Sequence, residues 1–350
     1  MYNIILAFIT SFLLTYRVIP AIIDIAYKKK LYDVPDDRKS HTEIIPRLGG
    51  ISIFAGLLFS IILWTPFNSL GDLQYILSAF IIIFLIGAKD DIEPVSPLKK
   101  FGAQIVAAFI LVFQSNVRIS ELYGIFGIHE IPFLWSALFS MFVIIAIINA
   151  FNLIDGVNGL AGTIGLLTSV VFGFLFYEVD RIELSIVAFA MAGSIIAFLN
   201  YNYTPAKIFM GDTGSLLIGL VAAVLAIKFF EINKEQTNPI LFIKSGPVFA
   251  ISVLIIPIFD TVRIMSLRLL KGKSPFHPDR GHIHHLLLDL GFSHMEVTSI
   301  LIMTNIIFIY IAYSFSFINI NLLFITILGL AMMLTGILVY LLKRKKAQKE

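Results

Sequence analysis

The sequence predicts an all-α fold, a polytopic integral membrane helical bundle, on three observations. The 350-residue chain is 58% hydrophobic with a mean hydropathy of +0.91, and 14% of its residues are charged, against roughly 25% in soluble chains. Its apolar residues arrive in blocks such as LLFSIILWTPF, ILSAFIIIFLIGA and LWSALFSMFVIIAIINAF, close to the about 20 residues that a bilayer-crossing helix needs. The short alternating segments of a membrane β-barrel do not appear.

Taken in order, the blocks predict eleven spans, centred near Phe12, Leu57, Phe80, Ala108, Val143, Leu167, Ala192, Val221, Leu254, Phe308 and Leu330. The block around Ala108 is short and runs into a polar stretch, so ten spans is the alternative. The opening MYNIILAFITSFLLTYRVIP has no basic leader or small-residue cleavage site and reads as a retained first span. One membrane domain is expected over 1–342, with a basic tail over 343–350. Cysteine is absent, which excludes a disulfide framework and a thiolate metal site. The net charge of +3 is small, and no nucleic-acid partner is expected.

The placement of the basic residues says more than their sum. Loops taken alternately, starting after the first span, gather twenty Lys and Arg on one side, from Lys28 to Lys349. The other side holds only Arg118, Arg181 and Lys234. By the positive-inside rule the N-terminus lies outside and the C-terminus in the cytoplasm. Every unusual polar sequence then falls on the cytoplasmic side, in loops near 24–50, 88–100, 151–160, 200–214 and 263–295.

GAKDDIEP places Asp90 and Asp91 at the end of the third span. Adjacent carboxylates repel and call for a cation or a proton, although a solvated pair followed by Pro94 is also an ordinary exit from a membrane. In NAFNLIDGVNGLAG, Asn149, Asn152 and Asp155 recur every three residues, so on a helix they share a stripe. Amides and an acid there are costly and read as a site or as glue between helices. FMGDTGS offers Asp212 either as a helix N-cap or as a hard oxygen ligand of the kind Mg²⁺ prefers. FDTVRI sets Asp260 and Arg263 one turn apart, which favours a helical ion pair.

HPDRGHIHH gathers four of the seven histidines beside an aspartate and an arginine. A short helix is expected from Pro278 and Asp279 to Gly291, with His282 in its first turn and His285 one turn on. Zinc would want HExxH spacing or cysteine, and neither is present. Arg280, imidazole N–H groups and a helix N-terminus suit a phosphate or diphosphate instead.

Five segments in this order on one face resemble the polyprenyl-phosphate N-acetylhexosamine-1-phosphate transferases of glycosyltransferase family 4. They are DVPDDRKSHTEIIPRLGG, DDIEPVSPLKKFGAQ, NAFNLIDGVNGLAG, GDTGS and PDRGHIHHLLLDLG. The first and last resemble the N-acetylhexosamine branch more than the sister phospho-N-acetylmuramoyl-pentapeptide transferases, which stand as the alternative. One departure is Asn158, where many members carry an acid.

The resemblance implies transfer of a sugar 1-phosphate, GlcNAc-1-phosphate foremost, from a UDP-sugar to undecaprenyl phosphate. UMP is released, and the reaction begins a cell-envelope polysaccharide. It implies Mg²⁺ or Mn²⁺ as cofactor, a multi-pass protein of the bacterial inner membrane working at the cytoplasmic face, and a homodimer as an assembly seen among members. Onto these residues it carries Asp90, Asp91 and Asp155 as catalytic carboxylates, Asp155 lining the nucleotide pocket, and Asn152 and Asp212 at the metal. Asn149, Lys39, His41, Arg280, His282, His284 and His285 would hold the nucleotide sugar and its diphosphate, and Lys99 and Arg263 the lipid phosphate. A transporter is the rival class, but transporters place ionisable groups near the midplane, often with repeat symmetry. Here the acids and histidines crowd one face and no repeat is visible.

Overall fold

The computed structural model describes residues 1–33, 45–236, 238, 242–274 and 281–348. Thirteen α-helices account for most of them: α1 (Tyr2–Lys29), α2 (Gly49–Trp64), α3 (Leu73–Ile92), α4 (Pro97–Gln114), α5 (Phe133–Ile154), α6 (Leu160–Glu178), α7 (Ile182–Asn202), α8 (Gly211–Glu235), α9 (Gly246–Val253), α10 (Ile255–Leu270), α11 (Ile283–Leu290), α12 (His294–Ser314) and α13 (Ile320–Ala347). Among the described residues, eight helices are long and apolar enough to cross a membrane, namely α1, α4, α5, α6, α7, α8, α12 and α13. A ninth span arises if α9 and α10 are joined. The protein is thus an all-α, multi-pass membrane bundle, and α4, the weakest block in the sequence, is one of the eight.

Ten of the eleven expected centres fall inside helices, and the eleventh, Leu254, falls between two. There α9 and α10 meet at 83°, so one apolar block is two helices. Pro257 in the first turn of α10 supplies the reason: it has no N–H to donate and its ring clashes with the carbonyl four residues back, that of Val253. The α2 helix is only 16 residues long, about 24 Å, short for a hydrocarbon core of about 30 Å.

Burial grades the bundle from centre to rim. The most apolar stretch of α8 is 83% buried, while that of α13 is 22% buried. Helix α8 packs against α2, α3, α5, α6, α7 and α9. Helices α2 and α8 meet backbone to backbone, because a Cβ added at Gly50 of α2 would come within 2.1 Å of the Gly214 amide nitrogen in α8. Large apolar side chains on the outer helices, such as Phe109, Phe142, Met303, Tyr310 and Ile325, are exposed. A water-soluble monomer rarely leaves so much apolar surface open, and lipid covers such a face at no cost.

Among the described residues there are also two small antiparallel strand pairs. Strands β1 (Tyr32–Asp33) and β2 (Ile45–Pro46) pair Tyr32 with Pro46. Strands β3 (Glu121–Ile125) and β4 (Ile128–Glu130) form a hairpin on the side away from the polar motifs. The expected helix over 278–291 is shorter than predicted: α11 begins at Ile283 with His282 just before it, and it ends at Gly291, whose φ of 101° is the left-handed conformation glycine tolerates. Residues 278–280 lie outside the described residues.

Candidate active site

Helices α3 and α5 end, and α4 and α8 begin, at one end of the bundle, and their termini carry the polar motifs. The start of α8 is the meeting point. Asp212 is not the N-cap of this helix. It lies in the first turn, and its carboxylate accepts from Asn152 Nδ2 at 3.1 Å and from Lys100 Nζ at 2.7 Å. The cap is supplied by another helix: Asp91 accepts the backbone N–H of Asp212 at 2.8 Å and of Thr213 at 3.0 Å, together with the Thr213 hydroxyl. These amides are therefore already engaged by a protein carboxylate.

Lys100 joins the two carboxylate motifs. Its ammonium lies 2.7 Å from Asp90 Oδ2 and 2.7 Å from Asp212 Oδ2, and Asp90 also accepts the Val95 N–H at 2.7 Å. Asp90 and Asp91 are therefore half-buried and bonded, unlike a solvated helix exit. Sequence reasoning passed over Lys100 and chose its neighbour Lys99, which is exposed. The helical phase carried a signal, since Lys100 is followed at steps of four, three and four by Gln104, Ala107 and Leu111, the buried stripe of α4.

The stripe of Asn149, Asn152 and Asp155 divides among three surroundings. Asn149 exchanges hydrogen bonds with buried Gln104 of α4 at 2.8 and 3.3 Å, an amide clasp between helices. Asn152 reaches Asp212 and, at 3.0 Å, Ser215 of α8. Asp155 sits just past the end of α5, and among the described residues its carboxyl has no hydrogen-bond partner. Burial, with repulsion from Asp212 and Asp91, holds it well above the usual carboxylate range. Asn158 turns its side chain to the Thr204 hydroxyl at 3.2 Å, and its N–H donates to His294 Nδ1 at 3.3 Å.

The histidines are organised by Asp260. Its carboxylate lies 2.9 Å from His282 Nδ1, accepts the Ile283 N–H at 3.1 Å, and takes Arg263 Nη2 at 2.7 Å. Arg263 also donates to the Gly281 carbonyl at 2.6 Å. The predicted helical ion pair is present, and it does more than link one turn, because it anchors the segment that begins α11. The His282 and His284 rings stack at 5.6 Å, and His284 and His285 lie 4.2 Å apart. His284 packs on the loop after Asp155: a Cβ at Gly156 would fall 2.9 Å from its Nε2. Burial, aided by neighbouring His285, pulls His284 down to about 3, so its ring is neutral at physiological pH. Lys39, His41 and Arg280 lie outside the described residues.

Among the described residues no three His, Cys, Asp or Glu side chains converge to hold a metal ion. The donor set around Asp212 is one carboxylate, one amide and a nearby carboxylate without a partner, with a lysine ammonium standing among them. That composition fits Mg²⁺, which binds through one or two carboxylates and takes its remaining oxygens from phosphates and water.

Comparison with known proteins adds to this picture. The model of the family described as Glycosyl transferase family 4 matches residues 73–230. An undecaprenyl-phosphate alpha-N-acetylglucosaminyl 1-phosphate transferase of Escherichia coli (strain K12) is 32% identical over 279 residues, which cover 77% of this chain and 72% of that one. The protein of the same name in Salmonella typhi is 33% identical over the same shares. A Bacillus subtilis (strain 168) protein, named a probable undecaprenyl-phosphate N-acetylglucosaminyl 1-phosphate transferase, is 34% identical over 312 residues, 88% of this chain and 84% of its own.

Proposed function

Since the chain belongs to glycosyl transferase family 4, we propose that it transfers N-acetylglucosamine 1-phosphate from UDP-N-acetylglucosamine to undecaprenyl phosphate and releases UMP. The observation that carries this reading is the convergence of Asp90, Lys100, Asn152 and Asp212 at one end of the bundle. It is a charged, half-buried cluster suited to phosphate chemistry at a membrane surface. The pentapeptide-transferase branch is not favoured, because the relatives above carry the N-acetylglucosaminyl name.

In this reading an oxygen of the lipid phosphate attacks the β-phosphorus of the UDP-sugar. A new pyrophosphate bond forms as the old one breaks, and UMP departs with the bonding electron pair. The lipid phosphate is largely dianionic near neutral pH, so it needs orientation more than deprotonation, and Asp90 is placed to help orient it. Asp91 fixes the start of α8 and with it the position of Asp212. Asp212 and Asn152 would hold Mg²⁺ or Mn²⁺, which supplies charge neutralisation for the leaving phosphate. Asp155 borders the nucleotide pocket. His282, His284 and His285 face the diphosphate or sugar, with His282 held in one orientation by Asp260.

The excess of basic residues in alternate loops supports a site on the cytoplasmic face of the bacterial inner membrane, where UDP-sugars are available. The test is UMP release by purified protein from UDP-N-acetylglucosamine, with and without undecaprenyl phosphate and Mg²⁺. Release that needs both supports the proposal. Release with another UDP-N-acetylhexosamine alone would move the specificity, and no release with any UDP-sugar from folded protein would overturn it.

A further inference from the structure

Both oxygens of Asp212 are already taken by N–H donors. Oδ1 accepts from Asn152 Nδ2 at 3.1 Å, and Oδ2 from the Lys100 ammonium at 2.7 Å. Lys100 makes an equal 2.7 Å contact with Asp90, and the side chains of Lys100, Asp90 and Asp212 are 25%, 15% and 26% exposed. The three form a half-buried charge bridge that a divalent cation must open. We propose that Lys100 is an internal counter-ion: it keeps a bare divalent cation off Asp212 and yields that carboxylate when the cation arrives together with the diphosphate of the nucleotide sugar.

Charge gives the reason. A free divalent cation entering beside Lys100 meets an ammonium that already offsets part of the charge of Asp90 and Asp212, and in a half-buried place the repulsion between the two cations is weakly screened. The same cation already bound to a diphosphate carries little or no net positive charge, so the repulsion falls away. The lysine does not have to leave the site. It stands in the first turn of α4, after Pro97, on a flexible four-carbon stem, and it can give up Asp212 while keeping Asp90. Metal capture by this site is thereby tied to the presence of substrate.

The inference rests on the assignment of Asp212 to the metal, and its test separates the two. Mn²⁺ binding to the purified full chain is measured by electron paramagnetic resonance, with and without UDP as the diphosphate probe. Wild type is expected to bind Mn²⁺ weakly alone and much more tightly with UDP. Lys100→Met is expected to bind Mn²⁺ alone at least about tenfold more tightly, since one neighbouring charge shifts proton affinity by about one to three log units, and to gain little from UDP. Lys100→Arg, which keeps the charge, is expected to behave as wild type, and Lys100→Gln serves as a second neutral variant if Lys100→Met does not yield folded protein. Equal or weaker Mn²⁺ affinity in the neutral variants, with binding still lost on Asp212→Asn, overturns the role of Lys100 alone. Mn²⁺ binding that survives Asp212→Asn in the Lys100→Met background overturns the metal assignment, and the inference with it.

Discussion

The carboxylate of Asp91 accepts the backbone N–H of Asp212 at 2.8 Å, so the last turn of α3 caps the first turn of α8. Asp260 does the same for α11 through the Ile283 N–H. At both places a protein carboxylate fills the anion position that a helix N-terminus offers. In the proposed reaction the anionic substrates would accordingly be met by side chains rather than by these helix ends.

Removing the first cap should weaken the fold as well as the reaction. Asp91→Ala is expected to lower stability by about 1–2 kcal/mol, the scale of a lost N-cap, and to reduce turnover by displacing Asp212. Asp91→Asn, which keeps one acceptor, should lose less. Thermal unfolding in detergent checks this, and an unchanged Tm for Asp91→Ala would show that the cap is dispensable.

Asp155 should show the opposite pattern. Its carboxyl is held above the ordinary value of 3.8, first by burial and then by Asp212 and Asp91. A raised folded-state value means that ionisation opposes folding, so this group costs stability as pH rises through and above the carboxylate range. Asp155→Asn is expected to raise Tm at about pH 7.5, with the gain fading below about pH 4. Turnover should fall, because the substituted side chain borders the proposed nucleotide pocket.

The histidine segment predicts acid sensitivity. His284 is held near 3, below its ordinary 6.5, by burial and by His285. The unfolded chain then binds a proton that the folded chain refuses, so stability is complete above about pH 6.5 and declines as pH falls toward 3, by at most about 1.4 kcal/mol per pH unit. A Tm series from pH 7 to pH 4 should show a shallower slope in His284→Gln than in wild type.

Asp260 is a positioning residue, and a double variant isolates that role. Asp260→Ala strands Arg263 without its carboxylate, and breaking a buried pair costs about 3–5 kcal/mol. Adding Arg263→Met should recover the part of the Tm lost by stranding the guanidinium, while the Ile283 cap and the His282 bond stay lost. Turnover should be lower in the double variant than in Arg263→Met alone, because His282 has lost its 2.9 Å anchor. Recovery of both together would mean that the pair serves stability alone.

Much of this architecture was legible because a membrane helix announces itself by composition. The apolar blocks marked the helices, and the polar motifs at their ends marked which termini meet. What could not be read was direction in space. The run AISVLIIPIF is apolar but for Ser252, so hydropathy carried no trace of the 83° joint at Leu254, and only Pro257 hinted at it. The ELYGIFGIHE hairpin was hidden by an all-helical expectation. Lys99 and Lys100 are equal in a sequence, and the buried phase of α4 decides between them. Asp260 and Arg263 were paired correctly at short range, whereas the bond from Asp260 to His282 spans 22 residues, a separation that no local pattern encodes.

Helix α8 begins at the candidate site, is 25 residues long and has its most apolar stretch 83% buried, a rod about 37 Å long. Such a rod is a lever. A tilt of about 1.5° at its far end displaces the near end by about 1 Å, and misplacement of that size can cost about 100-fold in rate. A small apolar molecule wedged between α8 and a neighbour, dissolved in the bilayer and never touching a carboxylate, would silence the enzyme as effectively as one that fills its polar end.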